Sequence, residues 1–284
     1  MTHFIVLTAA PETGLSDAQI AAVREQLAAP GATRRLSDSA SEIAVTGPAS
    51  ADLDSVDVNC IPAAGRRKQL LIADMDSTMI PVECIDEIAD FAGVRDQVVA
   101  ITEPAMRGEI SFEEALTARV ALLAGLSEDR LQDVWHQRIR LNPGAATAVR
   151  TMRANGAHTA LISGGFTYFT SRVADAAGFQ ENRANRLEIR NGALTGRVHP
   201  PILGREAKLL AMTEMLSQRR LEPAQALAVG DGANDLAMIG AAGLGVAFRA
   251  KPIVAEQASA AITHGDLTTL LYLQGYSQAE FVSD

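Results

Sequence analysis

The sequence predicts an α/β protein in which a parallel sheet is covered by helices, with a helical insertion and a small α+β unit at the N-terminus. Three observations carry this. Short apolar runs at 69–73, 159–162, 226–229 and 245–248 alternate with helical patterns, and such alternation is what βαβ units require. Between the first two of these runs the chain shows helical patterns and no strand signal. The first sixty residues have a separate pattern that ends at the small and basic run Ala63, Ala64, Gly65, Arg66, Arg67 and Lys68.

Taken in order, the N-terminal unit reads as a strand at 3–9, a helix at 16–27, a strand at 43–46 and a last strand near 56–61. Ser16 with Gln19 three residues later forms a capping box that starts the helix. The run at 63–68 reads as a linker, so a domain boundary is expected near residue 65: 1–65 as the α+β unit and 66–284 as the core. The helical insertion is expected at about 84–141, with helices at 85–91, 111–124 and 128–137. Ser111 and Glu114 make the second capping box. Residues 185–189 and 193–195, joined by Asn191-Gly192, read as a β-hairpin, because Asn-Gly suits a turn with two positive φ angles. The longest apolar run, 236–248, has 13 residues with three glycines; it is too short and broken to span a bilayer and reads as buried core.

Composition narrows the class of function. With 48% apolar and 21% charged residues the chain is an ordinary globular protein. Its net charge of −9 opposes a broad nucleic-acid or anionic-membrane surface, so neither partner is expected. No basic, apolar leader opens the sequence, and the two thiols, Cys60 and Cys84, form no CxxC or Cys/His cluster. A reduced cytoplasmic setting is therefore expected, without a zinc site or a disulfide framework.

Chemistry is concentrated in three loops. Asp74-Met75-Asp76-Ser77-Thr78 follows the first core strand, where extended backbone would point both carboxylates to one side. One carboxylate can attack phosphorus while the other, protonated, serves the leaving alcohol. Ser163-Gly164-Gly165 ends the second strand and offers a hydroxyl beside backbone N–H groups that a phosphate can approach. Gly230-Asp231-Gly232-Ala233-Asn234-Asp235 follows the third and supplies oxygen-only ligands suited to Mg²⁺. Lys208 precedes that loop and offers a cation for phosphate charge. All three loops fall at the carboxyl ends of the expected strands, where open α/β sheets build their sites.

The order Asp-x-Asp-x-Thr, Ser, Lys, Gly-Asp-Gly-x-Asn-Asp resembles the haloacid dehalogenase-like phosphohydrolases over residues 66–284, which implies a Rossmann-like core with a cap. Asp74 to Thr78, the pattern around Glu83, Ala184-Asn185-Arg186-Leu187 and 230–235 narrow the resemblance to the phosphoserine phosphatase family. The resemblance implies hydrolysis of O-phospho-L-serine as the last step of serine biosynthesis. It makes Asp74 the nucleophile and Asp76 the acid and base, with Mg²⁺ on Asp74, the Asp76 carbonyl and Asp231. It gives the phosphoryl oxygens to Ser163, Gly164 and Lys208, places Asn234 near the phosphate, and has Asp235 orient Lys208 or metal-bound water. Glu83 and Arg119 become a clamp for the substrate's ammonium and carboxylate groups, with Met106 and Phe112 as apolar cover. For the N-terminal unit it implies an ACT-like regulatory domain or a packing or dimerising unit, and a homodimer is among the expected assemblies. Three rival functions share these motifs: a phosphotransferase passing phosphate to an alcohol such as homoserine, a non-catalytic amino-acid sensor, and a sugar-phosphate or nucleotide phosphatase.

Overall fold

The computed structural model describes residues 1–106 and 109–282. Two sheets organise the chain. The N-terminal sheet contains β1 (His3–Ala9), β2 (Thr33–Arg35), β3 (Ala40–Val45) and β4 (Val56–Pro62), in the order β2-β3-β1-β4, with every pairing antiparallel. Helix α1 (Asp17–Gln26) starts at Ser16, whose capping box with Gln19 is formed. Alternation along β1 sends Ile5 and Leu7 toward Ile20 and Val23 of α1, and Val6 toward the main core. Both faces of this sheet are thus covered, which is why all six residues of β3 are buried. Sequence reading missed β2 because Thr33, Arg34 and Arg35 are polar and exposed, and it began the next strand three residues late.

The main sheet has the order β11-β10-β9-β5-β6-β7-β8: β5 (Leu70–Ala73), β6 (His158–Phe166), β7 (Glu181–Arg190), β8 (Ala193–His199), β9 (Ala226–Gly230), β10 (Leu244–Phe248) and β11 (Ala260–Ile262). All its pairings are parallel except β7 with β8. The hairpin turn between those two has φ of 52° at Asn191 and 75° at Gly192, the signs an Asn-Gly turn of this kind needs. In β5, Leu71 and Ala73 face one hydrophobic cluster and Leu70 and Ile72 the other, so the central strand is buried on both sides.

The insertion comprises α2 (Cys84–Ala92), α3 (Arg95–Met106), α4 (Phe112–Ala121) and α5 (Glu128–Arg138). The Ser111 and Glu114 capping box opens α4. Helices α6 (Ala145–Ala154), α7 (Thr167–Ala177) and α8 (Ala207–Arg219) link the sheet strands. The apolar run 236–248 divides into α9 (Leu236–Ala241) and β10. Among the described residues no helix is long and apolar enough to cross a membrane.

The run expected as a linker lies between β4 and β5, but Arg66 within it is buried rather than solvated. It donates to Glu42 at 2.9 Å and to the carbonyls of Leu273 and Tyr272, with its guanidinium 4.3 Å from the Phe4 ring centroid. The N-terminal unit also covers the β11 end of the main sheet. The Asn59 amide makes two 2.9 Å bonds to the Ala261 backbone, and the Asp57 carboxylate accepts from the N–H groups of Thr263, His264 and Gly265. Unpaired strand edges invite association, and these side chains close this one.

Candidate active site

β5 is the switch point of the sheet, with the chain running outward through β6 on one side and returning to β9 on the other. The loops after β5, β6 and β9 therefore meet above one crevice. The loop after β5 departs from the extended geometry expected for it. Asp74 is extended, and Met75–Met79 then forms one wide turn with Ser77 at φ 56°. The turn still delivers both carboxylates to the crevice, Asp74 from the strand end and Asp76 from inside the turn.

Lys208 Nζ lies 2.8 Å from Asp74 Oδ2 and 2.6 Å from Asp235 Oδ1; the three side chains are 4%, 8% and 0% exposed respectively. Burial alone would lower the lysine's pKa, but the two carboxylates outweigh it and hold the ammonium above the ordinary amine range. Burial, then the neighbouring Asp235, push the Asp74 carboxyl well above the usual carboxylate range, with Lys208 opposing. Asp235 is held from its other side by the Gly232 N–H, 3.0 Å from Oδ2.

Asp76 accepts from the Cys84 N–H at 2.9 Å and from the Ser163 hydroxyl at 3.1 Å. Burial raises its carboxyl, and these two donors pull the other way. Gly165 sits so close that a Cβ there would lie 2.8 Å from Asp76 Oδ2, which is why a glycine ends this loop. The structure carries β6 on to Phe166, so Ser163–Gly165, expected as a loop after the strand, is the irregular end of β6 itself. A Cβ on Gly164 would lie 3.0 Å from Cζ of Phe112, so the first residue of α4 rests on that strand end.

A cavity of about 120 Å³ is lined by Asp74, Asp76, Glu83, Phe112, Arg119, Ser163, Gly164, Asp231 and Asn234. The sequence-derived residues are therefore brought together, with Lys208 and Asp235 directly beneath through Asp74. The side chain of Met106 lies outside the described residues. Glu83 precedes α2 and accepts from the Ser77 hydroxyl at 2.7 Å. Although its outer surface meets solvent, packing around the carboxyl, followed by the charge of Asp76, pushes it up to about 7. Arg119 reaches the mouth from the last turn of α4.

Sequence reading assigned no role to several contributors. Thr78 donates to Asp231 Oδ1 at 2.8 Å, and Asn142 fixes that turn by donating to the Thr78 carbonyl at 2.7 Å. Ile85, Leu116 and Phe166 supply apolar wall. Thr78 belongs to the quoted Asp-x-Asp-x-Thr pattern, which was signal enough; Asn142 stands in no motif.

Carboxylate oxygens of Asp74, Asp231 and Asp235 all lie within 4.8 Å of one another. Three carboxyl groups face one ammonium here, with Asp74 and Asp235 buried and Asp231 partly exposed. Oxygen-only donors in that arrangement fit a hard divalent cation, and such a charge would bring Asp74 back toward ionisation.

Residues 71–240 match the haloacid dehalogenase-like hydrolase family. A phosphoserine phosphatase from Polaromonas sp. (strain JS666) is 51% identical over 210 residues, 72% of this chain and 89% of that protein. The crystal structure of a HAD family hydrolase from Salmonella enterica serovar Typhi superposes with a TM-score of 0.83 at 29% identity, covering 95% of this chain and 98% of its own. A phosphoserine phosphatase solved as an analogue of its phospho-aspartyl intermediate has a TM-score of 0.67 at 37% identity, covering 72% of this chain and 98% of that one. The chain belongs to the haloacid dehalogenase-like hydrolases, within the phosphoserine phosphatase family.

Proposed function

We infer that this protein hydrolyses O-phospho-L-serine to serine and inorganic phosphate through an aspartyl-phosphate, and that Asp74 carries the phosphoryl group. The observation that carries the reading is the pairing of Asp74 with buried Lys208 at 2.8 Å, directly beside a second carboxylate, Asp76, in the same cavity. A nucleophile must be ionised where its target is anionic, and Lys208 offsets charge on both. Asp76, whose carboxyl is raised, is suited to hold a proton for the departing serine oxygen and then to take one from the attacking water.

Ser163, Gly164 and Lys208 are read as the phosphoryl grip, with Asn234, which also lines the cavity, near the phosphate. Asp235 is read as the orienter of Lys208. The divalent cation is read as Mg²⁺, held by Asp74, Asp231 and the Asp76 carbonyl. When bound it would supply positive charge to a phosphoryl oxygen and a template for in-line attack. Glu83 and Arg119, set on the insertion above the chemistry, are read as the partners of the substrate's ammonium and carboxylate. That pair favours an amino-acid phosphate over a sugar phosphate or nucleotide.

Phosphate release from a panel of phosphoserine, phosphothreonine, sugar phosphates and nucleotides tests this reading. Phosphoserine should dominate without any added alcohol acceptor, activity should vanish with EDTA and return with Mg²⁺, and Ca²⁺ should not restore it. A requirement for an acceptor alcohol, or a preference for a sugar phosphate, would overturn it.

A further inference from the structure

Asn185 takes no part in the chemistry above, yet its side chain is tied to the loop that does. It is 1% exposed. Its Nδ2 donates to the Gly164 carbonyl at 2.8 Å and to the Leu203 carbonyl at 3.2 Å, while Oδ1 accepts from the Leu203 N–H at 2.7 Å. A buried amide with its donors and acceptor all engaged across three chain segments is expensive to disturb.

Geometry explains why this loop needs such a tie. β6 pairs with β7 at Ile162↔Arg183 and again at Phe166↔Asn185, with an irregularity between. The ladder thus leaves the backbone at 163–165 without regular pairing, as bulged segments do, and the Asn185 side chain takes over at Gly164. In a trans peptide the C=O and N–H point to opposite sides. With the Gly164 carbonyl drawn toward Asn185, the N–H of the same peptide, that of Gly165, is turned the other way and donates to Ser163 Oγ at 2.8 Å. The Ser163 hydroxyl in turn donates to Asp76 Oδ2 at 3.1 Å.

We propose that Asn185 is a positioning residue for the hydrolysis: through the Gly164–Gly165 peptide it fixes the Ser163 hydroxyl, and with it the Asp76 carboxyl, in the geometry the reaction uses. The inference rests on the roles given above to Ser163 and Asp76. Asn185 touches neither of them and acts only through the intervening peptide. A side chain that merely stabilised the fold would lower stability without any dependence on Ser163.

A double-mutant cycle on the full chain with phosphoserine separates the two roles. Asn185→Leu and Ser163→Ala should each lower kcat by about tenfold or more, with KM changed by less than about threefold for Asn185→Leu. In the Ser163→Ala background, adding Asn185→Leu should cost no more than about a further threefold, because the relay is already cut. Losses that multiply would overturn the proposal, as would wild-type kcat in Asn185→Leu beside an impaired Ser163→Ala. Wild-type kcat in Ser163→Ala would instead show that the assignment of the site itself is wrong. Asn185→Asp keeps the shape and the acceptor for the Leu203 N–H but has no N–H for the Gly164 carbonyl; it should share the loss in kcat. If both Asn185 variants lose the native near-ultraviolet spectrum, the position is structural and the proposal fails.

Discussion

Replacing Arg119 by alanine should remove selectivity for the amino-acid part of the substrate while leaving the phosphoryl chemistry in place. In the structure the guanidinium makes only modest contacts: Nε donates to the Ala115 carbonyl one turn earlier at 3.2 Å, and Nη1 to Thr102 Oγ1 at 3.4 Å. Among the described residues no carboxylate makes an ion pair with it. Truncation should therefore change stability by no more than about 1 kcal/mol. With substrate bound, two charge-assisted bonds to a carboxylate would be lost, a cost of about 2 to 5 kcal/mol if the pair is desolvated. Because Arg119 is half-buried at the cavity mouth, the lower part of that range applies, a fall of roughly 30-fold to a few hundred-fold in kcat/KM. p-Nitrophenyl phosphate has no carboxylate or ammonium and should lose less than about threefold, since Asp74, Asp76 and Lys208 are untouched. Steady-state kinetics on both substrates, with thermal unfolding as a control, decide the matter. Equal losses on the two substrates would mean that Arg119 supports the insertion and not recognition.

Three further outcomes follow from the same geometry. Lys208→Met would leave Asp74 and Asp235 buried without their cation, so urea unfolding at pH 7 should show a loss of about 3 to 5 kcal/mol together with loss of turnover; a loss below about 1 kcal/mol would contradict the buried pair. The Glu83 carboxyl sits at about 7 in the fold against 4.5 ordinarily. A raised folded pKa means that its contribution is most favourable below about pH 4.5 and is lost as pH rises through about 7, so Glu83→Gln should raise the Tm of EDTA-treated protein at pH 8 and not at pH 4.5. Asp57→Ala would strip the acceptor from the amides of Thr263, His264 and Gly265, costing about 1 to 3 kcal/mol, and hydrogen exchange at those amides should quicken; unchanged protection would show that the N-terminal unit does not hold this end of the sheet.

The site was legible wherever its chemistry and its position are local in sequence. Asp74, Ser163 and Asp231 each follow an apolar run read as a strand, so their convergence was expected from the α/β pattern. The roles of groups that work through backbone atoms far along the chain were not legible, even where, as for Asn185 in Ala184-Asn185-Arg186-Leu187, the residue stands in a recognisable pattern. Asn185 reaches Gly164 and Leu203, and Asn142 reaches Thr78, through contacts that no spacing announces. Short elements escaped for a different reason. β11 has only three residues, too few for a period, and β2 is polar because it is an exposed edge. Arg66 read as a linker cation because its composition is that of a solvated turn; its burial against Glu42 and Phe4 depends on how the N-terminal sheet docks, which local pattern does not encode. Helix α3 contains Pro104 near its end and has a weak apolar stripe, so tertiary packing rather than its own pattern defines it.

The mechanism inferred for this site requires that Asp74 become phosphorylated during turnover. Rapid acid quench of the enzyme turning over phosphoserine labelled in its phosphate, followed by peptide mapping, tests it most directly. Label should appear on the peptide carrying Asp74, should be lost by base or hydroxylamine as an acyl phosphate is, and should be absent from Asp74→Asn, which should fold normally and not turn over. No trapped phosphoprotein from an active wild-type enzyme, or label on a serine, would contradict the account.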